Sequence, residues 1–303
     1  MTTQIQHFFD TRTFTLTYVV FHTETLDAVV IDPVLDYDPK ASKTWTESAD
    51  QAIAFIKDHN LNLRYILETH AHADHLSGSQ IFKQHFPQAT LAVGSRITEV
   101  QSVFKTVFDL PSDFPTDGRQ FDALLDDGQL TKVGPGFEFE TIFTPGHTPA
   151  CVTFKIGDAI FTGDALFMPD SGTGRCDFPA GSATDLYQSI TERIYTLPPT
   201  TQIFVGHDYQ PGGRPVRYQT TVAESMDANV QLRAGTPKDD FVTFRTQRDA
   251  TLEAPRLLFQ SVQVNVDAGA LPQPHDNQIR YLRIPINVFR PEPQAGQVEA
   301  RDI

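Results

Sequence analysis

The stretch His70-Ala-His72-Ala-Asp74-His75 sets three imidazoles and a carboxylate in one short loop, directly after the apolar run 63–67. Imidazole and carboxylate together suit zinc, iron or manganese. A lone histidine is usually a satisfied core or surface group, but donors at this density demand a scaffold that presents them together. Loops at strand ends are where α/β proteins place such chemistry.

Three further positions extend the set: His147 in Thr144-Pro-Gly-His-Thr148, Asp164 in Phe161-Thr-Gly-Asp164, and His207 in Val205-Gly-His-Asp-Tyr209. Each follows an apolar β-like run and sits beside a glycine, which permits a tight turn. The pattern predicts one site assembled from four loops.

The surrounding periodicity supports an α/β fold. Residues 14–21 and 28–31 read as adjacent strands, and 63–67 as a third. Ala49, Ala52, Ile53 and Ile56 recur at helical spacing within 46–59, where Ser48 and Gln51 form a candidate capping box. A second helix is expected over 76–86. Strands follow near 137–143, 151–156, 159–161 and 202–205, with helices near 184–195 and 221–232. Beyond 238 a charged segment alternates with the apolar runs 257–266 and 284–289.

The charge balance, 24 Lys+Arg against 38 Asp+Glu, disfavours a nucleic-acid surface, which needs clustered cations. The start MTTQIQHFFD has no apolar leader, and no run approaches membrane-spanning length, so a soluble cytoplasmic protein is expected. With only Cys151 and Cys176, a disulfide framework or thiolate cluster is not expected. Both read as small buried residues, with reactivity left open at Cys176.

The chain resembles the metallo-β-lactamase superfamily, whose HxHxDH motif is matched by His70 to His75 and whose later His, Asp and His positions match His147, Asp164 and His207. The resemblance covers roughly residues 14–210. It implies an αββα sandwich with the metal site at one edge, here residues 1–235, carrying a C-terminal extension, 236–303, packed on the same domain.

Within the superfamily, Gly174-Arg175-Cys-Asp177-Phe178 is similar to the GRxDF segment of the persulfide dioxygenases, where glyoxalase II enzymes have an LFE-type sequence. That family implies one Fe(II) per chain held by His70, His147 and Asp164, with His72, Asp74, His75 and His207 around it. Two histidines and one carboxylate leave about three positions open on octahedral iron, the arrangement associated with oxygen activation. The implied reaction consumes glutathione persulfide, O2 and water and yields sulfite and glutathione.

The expected substrate contacts are Arg175, Asp177, Tyr209, Arg214 and Arg217. Arg175 either orients a substrate carboxylate or pairs with Asp177 to brace the loop. Asp32, at a strand end, is expected to hydrogen-bond the His70 to His75 loop. The segments 109–127 and 238 onward exceed shorter family members and could cover the site's mouth or form a homodimer contact. The rival reading is a glyoxalase II-like thioester hydrolase with two metals bridged by Asp164, since all seven donors are present. A metal-stabilised binding protein is disfavoured, because structural sites are closed and sulfur-rich.

Overall fold

A computed structural model describes residues 3–288. The chain starts with three consecutive antiparallel strands, β1 (Thr3–Asp10), β2 (Thr15–His22) and β3 (Asp27–Ile31). A small hairpin of β4 (Val34–Asp38) and β5 (Lys43–Trp45) leads into α1 (Glu47–Asp58). β6 (Asn62–Glu68) then returns parallel to β3. β7 (Leu76–Ser77) joins β4 and β5 in a three-stranded sheet of order β5-β4-β7; α2 (Ser79–His85) follows, and β8 (Thr90–Gly94), α3 (Ile97–Val107) and β9 (Ala123–Leu125) complete a six-stranded sheet of order β1-β2-β3-β6-β8-β9.

The second half repeats the style. β10 (Leu130–Gly134), β11 (Phe137–Phe143), β12 (Val152–Ile156) and β13 (Ala159–Phe161) run antiparallel, followed by α4 (Ala183–Gln188). β14 (Gln202–Phe204) pairs parallel to β13, and β15 (Gln219–Thr221) closes a second six-stranded sheet before α5 (Val222–Ala228). α6 (Lys238–Asp249) and α7 (Leu258–Asn265) follow. None of the helices among the described residues is long and apolar enough to cross a membrane.

Strand periodicity divides the core. On β2, Leu16, Tyr18 and Val20 join Phe139, Phe154 and Phe161 of the second sheet, whereas Val19 and Phe21 join Ile53, Ile56, Phe82 and Phe104 of α1 to α3. The two sheets therefore face each other, and these helices cover the outer face of the first. Tyr18 also ties the sheets at the site edge: its buried hydroxyl donates to the Val205 carbonyl at 2.7 Å, just ahead of His207. Truncating so large a buried ring to alanine would cost about 3–5 kcal/mol.

Several local expectations are corrected. The candidate capping box at Ser48 and Gln51 does not form; Asp36 of β4 caps α1 instead, accepting from Ser48 N at 2.9 Å and Ser48 Oγ at 2.7 Å. The helix expected over 76–86 starts only at Ser79, because Leu76 and Ser77 pair with Val34 and Leu35. At the switch sits Gly78, where a Cβ would lie 2.8 Å from the Val34 carbonyl oxygen. The helix near 184–195 is split, passing from α4 into a π-helical turn, Ser189–Ile194. β1 was not anticipated at all.

The two apolar runs near the C-terminus diverge. Leu258, Val262 and Val266 pack into the second core cluster, but within 284–289 Ile284 and Ile286 are exposed, Ile286 at 84%. Phe289 lies outside the described residues.

Candidate metal centre

The site lies where the ends of β6, β11, β13 and β14 meet. Asp32, at the end of β3, organises the first loop from a left-handed backbone position, φ 50°. Its carboxylate accepts from Thr69 N at 2.7 Å and Thr69 Oγ1 at 2.8 Å, and lies 3.1 Å from His72 Nε2. The expectation for Asp32 therefore matches the contacts seen.

Thr69 passes this order on. Its hydrogen is committed to Asp32, so its oxygen receives the Nδ1 hydrogen of His70 at 2.9 Å, leaving the His70 Nε2 lone pair free. His147 is set the same way, with Nδ1 donating to the Arg175 carbonyl at 2.7 Å. Both free nitrogens face Asp164 Oδ2, at 4.0 and 3.7 Å. Those separations exceed hydrogen-bond range and suit three donors around a common ion.

His70 Nε2, His75 Nε2, His207 Nε2 and Asp164 Oδ1 are buried without hydrogen-bond partners. Buried polar atoms are normally satisfied. Convergent imidazole and carboxylate atoms left bare in this way fit a bound cation. The donors fall into one group of His70, His147 and Asp164 and another of His72, Asp74, His75 and His207, the ligating atoms within each lying within 4.8 Å of one another. His207 Nε2 lies 3.3 Å from both Asp74 Oδ2 and Asp164 Oδ1, so the groups adjoin.

Electrostatics distinguish the histidines. Burial and the neighbouring imidazoles His72 and His147 push the His70 pKa well down, which favours the neutral, ligating form. Burial opposes charge on His72 too, but Asp32 and Glu68 outweigh it and hold its pKa well up. His207 is raised against its burial by Asp164 and Asp74. Asp74 is driven well down, its burial overcome by His207 and His75.

Outside the donors lies a cavity of about 920 Å³, lined in part by His147, Asp164, Phe167, Arg175, Trp45 and Tyr209. Tyr209 is 49% exposed and stacks on His207, ring centroids 5.6 Å apart. Arg175 reaches the cavity but is bound to Asp177 through two bonds of 2.6 Å and to the Glu253 carbonyl at 2.7 Å. The pair with Asp177 is one of the two arrangements expected of Arg175.

Arg214 and Arg217, expected as substrate contacts, are not among the residues that line this cavity. Asp208 draws them away: Arg214 makes two 2.7 Å bonds to Asp208 and reaches Asp170, while Arg217 donates its backbone N to Asp208 and its guanidinium to Glu224. The 109–127 segment is also absent from the cavity wall, whereas Arg245, Leu252 and Pro255 of the C-terminal stretch form part of it.

Three groups at the site escaped sequence reasoning. Glu68, buried at the end of β6, accepts from the hydroxyls of Ser77 and Ser79 and lies 3.4 Å from His72 Nε2; its position two residues before His70 was an available signal. Arg245 and Asp249 pair in the interior, and Asp249 accepts from Cys176 N at 2.7 Å. Asn265 bonds the metal loop from 193 positions away, with no local signal. Both cysteines are free and buried; burial raises the Cys151 pKa to about 12, and burial with Asp249 raises that of Cys176 further.

Comparison with known proteins gives concordant matches. The metallo-beta-lactamase superfamily domain matches residues 10–207. A probable metallo-hydrolase of Burkholderia pseudomallei is 46% identical, covering 94% of this chain and 99% of its own length. Glyoxylase B2 of Dictyostelium discoideum is 45% identical, covering 90% and 93%. The human mitochondrial persulfide dioxygenase ETHE1 is 33% identical, covering 88% of each. The crystal structure of ETHE1 from Myxococcus xanthus superposes with a TM-score of 0.70 at 29% identity, covering 88% of this chain and 100% of that one.

Proposed function

The chain belongs to the metallo-β-lactamase superfamily, and from that premise we propose that it is an iron-dependent persulfide dioxygenase acting on glutathione persulfide. The overall change is GSSH + O2 + H2O giving GSH, sulfite and two protons. The observation that carries this reading is the compact group of His70, His147 and Asp164, in which both imidazoles face Asp164 Oδ2, while His72 Nε2 lies 3.1 Å from Asp32 and 3.4 Å from Glu68. A facial pair of histidines with one carboxylate suits a single non-haem iron with open positions. The persulfide dioxygenase relatives support the same reading.

Held by these three residues, Fe(II) would supply the redox capacity for oxygen activation that zinc lacks. The protein's part is orientation and exclusion. Thr69 and the Arg175 carbonyl fix the His70 and His147 tautomers, so both present lone pairs to the same point. Phe167 and Tyr209 wall the cavity beside Asp164 and restrict water near the reacting sulfur. Asp177 and Glu253 hold Arg175 rigid, which keeps its carbonyl on His147.

A second reading is a glyoxalase II-like hydrolase, favoured by one contact. Asp164 Oδ1 lies 3.3 Å from His207 Nε2 while Oδ2 faces His70 and His147, so Asp164 spans both donor groups as a bridging ligand would. It also accords with the name of the Dictyostelium relative. Anaerobic loading with Fe(II) or Zn(II), metal counting and an oxygen electrode separate the two. We expect one iron per chain and oxygen uptake that requires glutathione persulfide, with the zinc form inactive. Two zinc ions per chain and air-independent hydrolysis of S-lactoylglutathione would overturn the dioxygenase.

A further inference from the structure

The peptide group between Arg175 and Cys176 is held at both ends. Its carbonyl accepts from His147 Nδ1 at 2.7 Å, and its N–H donates to Asp249 Oδ2 at 2.7 Å. A peptide group is planar and stiff, and a trans unit points its C=O and N–H in opposite directions. One rigid plate therefore links an imidazole of the first donor group to a buried carboxylate on the last turn of α6. The loop that carries it is seated tightly: a Cβ on Gly174 would stand 1.9 Å from the Asp164 carbonyl oxygen.

Asp249 divides its two oxygens. Oδ1 accepts from Arg245 Nε at 2.9 Å and from Arg245 Nη2, which leaves Oδ2 to the Cys176 amide. Arg245 in turn donates to Gln231 Oε1 at 2.9 Å and, more loosely, to the Thr173 carbonyl at 3.4 Å. The buried positions of α6 are Phe241, Arg245 and Asp249, four residues apart, so the helix gives two of its three inward positions to an ion pair. A buried ion pair adds little net stability, because desolvation offsets most of its attraction. Its placement follows instead from what Asp249 Oδ2 touches.

We propose that Asp249 is a positioning residue for His147, acting through the peptide group between Arg175 and Cys176. An amide that donates to a carboxylate becomes a stronger acceptor at its own carbonyl, because polarisation passes along a chain of hydrogen bonds. The Arg175 carbonyl therefore grips the His147 Nδ1 hydrogen more firmly and leaves Nε2 the more electron-rich, ligating nitrogen. The same logic operates at His70, where the Asp32 carboxylate acts through the Thr69 hydroxyl at 2.8 and 2.9 Å. Both histidines of the first donor group are thus backed by a buried carboxylate through one intermediary, and for His147 that carboxylate comes from α6. The proposal rests on the reading of His70, His147 and Asp164 as metal donors, and it holds whether the reaction is oxidation or hydrolysis.

Nuclear magnetic resonance of zinc-loaded protein labelled with the heavy nitrogen isotope reads both histidines at once and needs no turnover. In wild type, zinc addition should move the Cys176 amide nitrogen, since a metal at His147 strengthens the bond that polarises the peptide. In Asp249→Asn, which keeps an oxygen for the Cys176 amide but loses the charge, the His147 Nδ1 proton should move upfield while that of His70 stays. Zinc affinity, read with a chromophoric chelator, should fall about tenfold in the same variant. Arg245→Met/Asp249→Asn leaves no buried charge unpaired, and it should show the same His147 shift where the single variant fails to fold. A His147 proton unmoved in the folded variant, or moved equally with that of His70, overturns the proposal, as does a Cys176 amide insensitive to zinc in wild type. A wild type that takes up no zinc overturns the metal reading and the proposal with it. The expected shifts in a protein that consumes no oxygen with glutathione persulfide overturn the dioxygenase reading alone.

Discussion

The side-chain amide of Asn265 donates to the main-chain carbonyl oxygen of His72 at 2.8 Å. The same Nδ2 reaches the His75 carbonyl at 2.8 Å, and Oδ1 accepts from Ser77 N at 2.8 Å, so one buried residue of α7 fixes both ends of the turn that carries the ligands. Replacing Asn265 by alanine leaves two carbonyls and an N–H unpaired in the interior, at about 1–3 kcal/mol each before relaxation. Metal affinity should fall about 10–100-fold. Competition with a chromophoric chelator measures it. Gln80→Ala removes a bond to the Ala268 carbonyl of the same C-terminal stretch without touching the loop, and should lower the melting point alone. Equal loss of metal affinity in both variants would show that Asn265 acts only through general stability.

Thr69→Val isolates the hydrogen-bond relay behind His70. The substitution keeps the branched shape but removes the hydroxyl that links Asp32 to the His70 Nδ1 hydrogen. With the tautomer no longer fixed, we expect about a tenfold loss in metal affinity and a changed electron paramagnetic resonance signal for the cobalt-substituted protein. A spectrum and affinity identical to wild type would remove Thr69 from this role.

The donors themselves were legible because each occupies a short local pattern: a strand running into a histidine-rich loop for His70, and a strand, a glycine and a ligand for His147, Asp164 and His207. His70, His147, Asp164 and His207 meet as expected because the strands that deliver them end at one edge of the two sheets. α1 was legible for the same reason, its buried stripe being visible within four turns. What was not legible is carried by tertiary partners. Asp36 replaced the expected capping box, β7 took the first residues of an expected helix, and the side chains of Arg214 and Arg217 found carboxylate partners outside the cavity wall. β1 lacks a clean alternation because most of it is half-buried at a sheet edge. A side chain's direction depends on which distant charge it finds, and no sequence window contains that.

The cysteines give a prediction with an opposite sign to the reactivity left open for Cys176. Both thiols are buried and their pKa values are raised, that of Cys151 to about 12, so the thiolate is scarce near neutrality. Ellman's reagent should find no rapidly reacting thiol in the native protein and two after denaturation. A fast-reacting native thiol would contradict the packing of the loop that holds Cys176 against Asp249.

Asp267, just beyond α7, supplies the pH dependence that is independent of any metal. Burial raises its carboxyl pKa to about 6, only partly offset by a hydrogen bond from Gln120. The ordinary value is about 3.9, so between these two pH values the folded state binds more protons than the unfolded state. Stability associated with this group is therefore intact below about pH 4, falls as pH rises to about 6, and is fully lost above it. Asp267→Asn removes the ionisation. Two pKa units correspond to about 3 kcal/mol, which partial exposure reduces to roughly 1–2 kcal/mol. The variant should melt higher than wild type at pH 8 and converge with it near pH 4, read as the difference between two unfolding curves at each pH. A difference that stays constant across that range would mean that Asp267 titrates alike in the folded and unfolded protein, against the upward shift its burial gives.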